Sequence, residues 1–100
     1  MAVRIRLDPQ LAAPVLRMLA PATRRTIREQ LRALARDPTG LESHLDIREL
    51  DREGKLPRVF RLRVADWRIA YVVRESEVLV IRIFHRRDGY GWMERLDQQG

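Results

Sequence analysis

The sequence predicts an α+β domain: a mainly antiparallel sheet covered on one side by a two-helix hairpin, in the order strand, helix, helix, strand, strand, strand. Three patterns carry that expectation. Residues 2–7 (AVRIRL) alternate apolar and charged side chains, the period of a half-buried strand. A helical period then runs from Leu11 to Arg36. From Val59 onward the alternating period returns in three consecutive runs joined by short turns. Strands that follow one another closely pair as an antiparallel sheet, and helices gathered in one stretch of chain cover one of its faces. With 100 residues, the expectation is a single domain over 1–100.

After the first strand, Asp8-Pro9 is a helix-start signal, an N-cap residue followed by a first-turn proline. Leu11, Val15, Met18 and Leu19 follow at helical spacing. Pro21 interrupts, because the residue before a proline resists the helical region. A second helix is expected from about Ala22 to Arg36, with Ile27, Leu31 and Leu34 as its apolar stripe. Asp37-Pro38 and Gly40 end it. The stretch 41–57 is polar and acidic, with Leu45, Ile47 and Leu50 as apolar punctuation; a short strand and then a loop through Asp51–Gly54 fit it. Phe60, Leu62 and Val64 alternate with Arg61 and Arg63, and Ala65-Asp66 turns the chain. Trp67, Ile69, Tyr71 and Val73 alternate back. After a turn at Glu75–Glu77, residues 78–86 (VLVIRIFHR) form a nearly continuous apolar run, as a central strand buried on both faces would. A short C-terminal helix carrying Trp92, Met93 and Leu96 is expected within 89–98.

Composition narrows the function classes. The net charge is +6, and 19 of the 20 basic residues are arginine, Lys55 being the exception. Residues 1–36 hold eight basic and two acidic groups, 37–57 three and six, and 58–100 nine and six, so two basic segments flank an acidic middle. Guanidinium forks suit bidentate phosphate contact and stacking, and a positive field attracts polyanions. With no cysteine, disulfides and thiolate metal sites are excluded and a reducing compartment fits. No signal-peptide core or membrane span is present in the sequence, so a cytoplasmic location is expected. No Ser/His/Asp motif, glycine-rich phosphate loop or GK[ST] occurs, and His44 and His85 lie far apart without acidic residues at ligand spacing; neither a metal nor a cofactor is expected. Catalysis, if present, falls to Arg, Tyr and His.

Arginines recur where one surface can collect them. Arg61 and Arg63 share a face opposite Phe60, Leu62 and Val64, and Arg68 joins it if register permits. Arg82 and Arg86 share the parity of Phe84. Arginine stems cover apolar sheet surface well, yet clustered like charges repel unless an anion visits. On the second helix, Arg25, Arg28, Arg32 and Arg36 lie opposite the apolar stripe. They form an ordinary solvated face, a ridge that tracks phosphates, or a face read by an acidic partner.

The run Val59–Tyr71 (VFRLRVADWRIAY) resembles the yRLRvGdyRviY segment of RelE/ParE-superfamily toxins, and His85–Tyr90 (HRRDGY) resembles the HRrdvY segment after their last strand. The resemblance covers about residues 3–92, including the two helices that end in Asp-Pro. It implies a RelE-like fold with a four-stranded, mainly antiparallel sheet, two helices on one face and a C-terminal helix. The activity it implies is that of a type II toxin: ribosome-dependent cleavage of translated messenger RNA by metal-independent attack of a 2′-hydroxyl on the adjacent phosphate. Position by position, Arg61 and Arg63 match the basic groove residues, Arg68 and Arg86 the catalytic-site arginines, and Tyr90 the C-terminal tyrosine that stacks on a base. His85 is the remaining proton-transfer candidate, since an imidazole can give and take a proton whereas arginine does not lose its own; strand parity turns it away from Arg86. Arg58, Arg82, Arg87 and Trp92 are the expected further RNA contacts. The implied partners are a cognate antitoxin with an acidic, partly disordered segment, the ribosome and mRNA, with no membrane and no small-molecule cofactor. Two other readings share the fold: a ParE-like inhibitor of DNA gyrase without nuclease activity, and a degenerate toxin that only binds antitoxin or RNA. The Arg86/Tyr90 pair and compact helices favour the nuclease.

Overall fold

Five strands form one sheet in the order β1-β5-β4-β3-β2 in the computed structural model, which describes residues 3–40, 43–50 and 58–92. The elements are β1 (Arg4–Leu7), α1 (Ala13–Met18), α2 (Pro21–Arg36), β2 (Ile47–Glu49), β3 (Phe60–Val64), β4 (Trp67–Arg74) and β5 (Glu77–His85). A 3-10 turn, Arg86–Asp88, follows. All neighbours pair antiparallel except β1, which runs parallel to β5. The helices carry the chain from β1 at one edge of the sheet to β2 at the other, with β4 in the middle and β5 between it and β1. The architecture is the α+β fold expected from the sequence; β2 adds one short strand to the four that the resemblance implied. The expected C-terminal helix lies for the most part outside the described residues.

Local chemistry explains the helices. Asp8 Oδ1 accepts from the Gln10 and Leu11 amides, both at 2.8 Å, and so caps a turn that precedes α1. Because that turn delays the helix to Ala13, the buried stripe is Ala12 and Leu16, flanked by Val15 and Leu19. Leu11 and Met18, expected on that stripe, are exposed, Met18 at 85%. Ala20 is extended and Pro21 sits in the first turn of α2, where its missing N–H costs nothing. Ile27, Leu31 and Leu34 are buried against the sheet as the stripe predicts.

Two apolar layers result. On the helix side, Leu62, Val64, Ile69, Tyr71, Val78, Val80 and Ile83 meet the helices. The Tyr71 hydroxyl donates to the Pro38 carbonyl at 2.7 Å, which ties the end of α2 to β4. On the outer side a smaller cluster joins Val59, Ala70, Val72, Phe84 and Trp92. Register connects the two layers. Ala70 pairs with Arg82 and Tyr71 with Val80, so Ile81 is a bulge. The extra residue reverses side-chain parity: Val78 and Val80 face the helices, whereas Arg82 and Phe84 face outward.

Candidate nucleic-acid interface

The outer face of the sheet collects arginines in two rows. Arg48 on β2 pairs with Arg61 on β3, Arg61 with Ala70 on β4, and Ala70 with Arg82 on β5. The neighbouring row is Arg63, Arg68 and Phe84. Adjacent strands are about 4.8 Å apart, so like charges stand directly opposite one another, an arrangement that is destabilising unless it is compensated. Asp46 supplies part of that compensation. Its carboxylate accepts from Arg61 Nη2 at 3.0 Å and lies 4.0 Å from Arg63 Nε. Arg61 is held tightly, with its side chain 13% exposed.

The β3–β4 turn gathers the second group. Arg68 Nη1 donates to the carbonyls of Ala65 and Trp67, at 2.8 and 3.0 Å. The Arg86 amide donates to the Asp66 carbonyl at 2.8 Å, and its guanidinium Nε is 3.4 Å from Asp66 Oδ1. Arg68 and Arg86 are therefore both tied to the β3–β4 turn, although they are far apart in sequence. Aromatic rings line the same face: Phe84 lies edge-on to Tyr90 at 5.2 Å and to Trp92 at 5.6 Å, and Arg82 stacks over Trp92 at 5.5 Å. Arg61 Nε and Trp92 Nε1 are buried donors with no hydrogen-bond partner among the described residues. Phe84 and Trp92 are buried beneath this face, so Trp92, expected to contact RNA, instead supports Arg82, and Tyr90 is the exposed ring among the three. Exposed guanidiniums beside one exposed ring suit single-stranded RNA, in which phosphates and splayed bases are both offered.

Three expected residues lie elsewhere. Arg58 donates to Glu49 at 2.6 and 2.5 Å and covers Phe60, on the helix side. That bidentate hydrogen bond holds the Glu49 carboxyl below its usual range and raises Arg58. His85 packs edge-on against Trp67 at 5.2 Å, and its Nδ1 accepts from the Arg87 amide at 3.2 Å. Arg87 Nε also reaches that nitrogen, at 3.4 Å, so Arg87 stays with His85. Two residues of the face were missed from the sequence. Arg48 and Asp46 lie in the acidic middle segment, and only the strand parity of Ile47 against Leu62 marks them as outward. Among the described residues no group of three His, Asp or Glu gathers as a metal site. No helix among the described residues is long and apolar enough to cross a membrane.

Comparison with known proteins agrees with this architecture. The chain is similar to the RelE–RelB complex of Pyrococcus horikoshii OT3 at 23% identity and TM-score 0.71, over 89% of this chain and 100% of that one. It is similar to the toxin–antitoxin complex RelBE2 of Mycobacterium tuberculosis at 22% identity and TM-score 0.68, over 86% and 100%. A mutant of E. coli toxin RelE in the free state matches at 18% identity and TM-score 0.63, over 98% of both chains. At these identities the likeness is one of fold. No curated protein matches the sequence. The model of the family described as the ParE toxin of the type II toxin–antitoxin system parDE matches residues 10–90. That match spans most of the sheet and both helices: the chain belongs to the ParE toxin family, within the RelE/ParE superfamily of type II toxins.

Proposed function

We propose that this toxin is a ribosome-dependent endoribonuclease whose outer sheet face holds a messenger RNA strand for attack by its own 2′-hydroxyl. The observation that carries the reading is that Arg68 and Arg86 are both anchored to the β3–β4 turn, with Arg68 paired across the sheet to Arg63 and to Phe84 of the Phe84–Tyr90 ring pair. The 2′-hydroxyl gives its proton to water as its oxygen forms a bond to phosphorus, the bond to the 5′-oxygen breaks, that oxygen takes a proton from water and leaves as a 5′-hydroxyl, and a cyclic phosphate remains. Negative charge spreads over the phosphoryl oxygens, where prepositioned guanidiniums stabilise it. Tyr90, on the same face, stacks on a base and orients the nucleophile; Arg61 and Arg82 hold the flanking strand, Arg82 supported by the buried Trp92 ring beneath it. Arginine does not give up its proton at neutral pH, and His85 faces Trp67, so this surface stabilises charge more than it shuttles protons. Turnover then rests on how the ribosome positions the message, and the site of action is cytoplasmic.

A cognate antitoxin is the second partner. The structurally similar archaeal and mycobacterial toxins are complexes with antitoxins. Here an apolar groove of about 340 Å³ runs between β1 and the helices, with Ile5, Leu7, Leu16 and Leu31 in its wall and Arg28 and Arg32 at its rim. An amphipathic, acidic segment matches that chemistry.

Inhibition of DNA gyrase is the alternative, favoured by the ParE description of the matching family. Inducing the protein without an antitoxin and mapping message 5′ ends separates the readings. New ends within translated codons that vanish in Arg86→Ala and Tyr90→Phe support the nuclease. Growth arrest without new ends, together with loss of supercoiling by purified gyrase, supports the alternative. Neither arrest nor new ends marks a toxin that only binds.

A further inference from the structure

Helix α2 carries a second charged surface on the side of the molecule away from the sheet's outer face. Arg25, Arg28, Arg32 and Arg36 are all exposed, and none makes an ion pair among the described residues. At 1.5 Å rise per residue they extend along about 16 Å of helix. Arg24 extends the surface toward α1, anchored by a 3.1 Å hydrogen bond from its Nη1 to the Arg17 carbonyl. A shallow groove of about 220 Å³ is lined by Pro21 and four of these arginines, 24, 25, 28 and 32. Glu29 is the one acidic residue of the helix.

We propose that this ridge binds the sugar–phosphate backbone of duplex RNA. The proposal rests on the toxin acting on RNA, but it concerns a site distinct from the cleavage face. Two features select a nucleic-acid backbone over a protein. The ridge offers guanidiniums with no exposed large apolar side chain among them, whereas a protein interface is built around an apolar core. The apolar groove that suits a peptide lies to one side with Arg28 and Arg32 at its rim, and Arg25 and Arg36 stand outside its lining. A row of unpaired guanidiniums is matched by a polyanion whose charges repeat along a line, and double-stranded RNA is recognised through its phosphates and shape. The helices and the outer face lie on opposite sides of the sheet, so a single strand and a duplex bind together without competing.

The test uses the full-length protein, a blunt RNA duplex of about 16 base pairs and a single strand of equal length, with affinities read by fluorescence anisotropy across a salt series. The ridge variant is Arg25→Gln/Arg28→Gln/Arg32→Gln. A control variant of the same net charge, Arg4→Gln/Arg17→Gln/Arg74→Gln, removes exposed arginines from elsewhere. Expected is a loss of duplex affinity of about tenfold or more in the ridge variant. The slope of log affinity against log salt should flatten by between about 2 and 3, near 0.9 for each phosphate contact removed. Single-strand affinity is retained, which also shows that the variant is folded, and the control keeps its duplex affinity. Equal losses in both variants would overturn the proposal in favour of a diffuse positive field. So would wild-type protein that does not bind duplex, or, with polyglutamate added as a third probe for an acidic protein partner, a ridge variant that loses affinity only for polyglutamate. The nuclease reading stands or falls on message ends, which this binding assay does not measure.

Discussion

Asp46 bridges two guanidiniums of β3: its carboxylate accepts from Arg61 Nη2 at 3.0 Å while lying 4.0 Å from Arg63 Nε. On the proposed function, an RNA phosphate would compete with it for these guanidiniums. Asp46→Asn leaves Arg48, Arg61 and Arg63 facing one another with less compensation. Its expected effects have opposite signs. Stability falls by up to about 1 kcal/mol, the range of a half-exposed pair, and affinity for single-stranded RNA rises by a few-fold. Urea unfolding and anisotropy measure the two separately. Unchanged affinity would show that the carboxylate does not compete with RNA.

Tyr71 predicts an alkaline limit to stability. It is fully buried, and burial, followed by the charge of Asp37, pushes its phenol well above the ordinary range. The unfolded phenol titrates near about 10. Below that pH the folded and unfolded states bind the proton alike. Above it the unfolded state ionises first, so stability is lost as pH rises toward the folded value. Tyr71→Phe is expected to cost about 1–2 kcal/mol at neutral pH, because the Pro38 carbonyl loses its donor. It should also flatten the decline above about pH 10. Urea midpoints over the alkaline range provide the check.

Ala65 turns β3 into β4 with φ of +53°, a left-handed conformation that costs a residue bearing a Cβ about 1 kcal/mol. The toxin segment it resembles has glycine there. Ala65→Gly is therefore expected to raise stability by up to about 1 kcal/mol, offset in part by the freer unfolded chain. A lower melting temperature would show that the turn is strained elsewhere.

The bulge at Ile81 predicts an asymmetry between two deletions. Removing Ile81 restores plain alternation while Val80 and Ile83 still face the helices and Arg82 and Phe84 still face outward. That variant should fold. Removing Ile69 from β4 inverts every side chain on one side of the deletion and places Arg68 or Ala70 out of phase with both neighbouring strands. That variant should lose cooperative unfolding, which circular dichroism in urea detects.

Much of the fold is legible in the chain because its signals are local. Alternation in 59–74 determines which residues of β3 and β4 face the helices, the stripe of Ile27, Leu31 and Leu34 determines the buried side of α2, and Pro21 marks its start. Arg61 and Arg63 could be placed on one face by parity alone, whereas Arg68 joins them through the register of β3 against β4. Other features depend on contacts between distant segments. Arg82 reaches the outer face only because of the bulge, whose position is set by pairing across to Ala70 and Tyr71. Arg86 is held to the β3–β4 turn by Asp66, and Arg58 leaves the expected surface because Glu49 holds it. Arg48 and Asp46 enter the site through a three-residue strand too short to announce itself by period. Residue periodicity specifies the face of an element, a property of a few neighbouring side chains. Which charges meet across that face is decided by strand register and ion pairing, and these form only when the chain closes on itself.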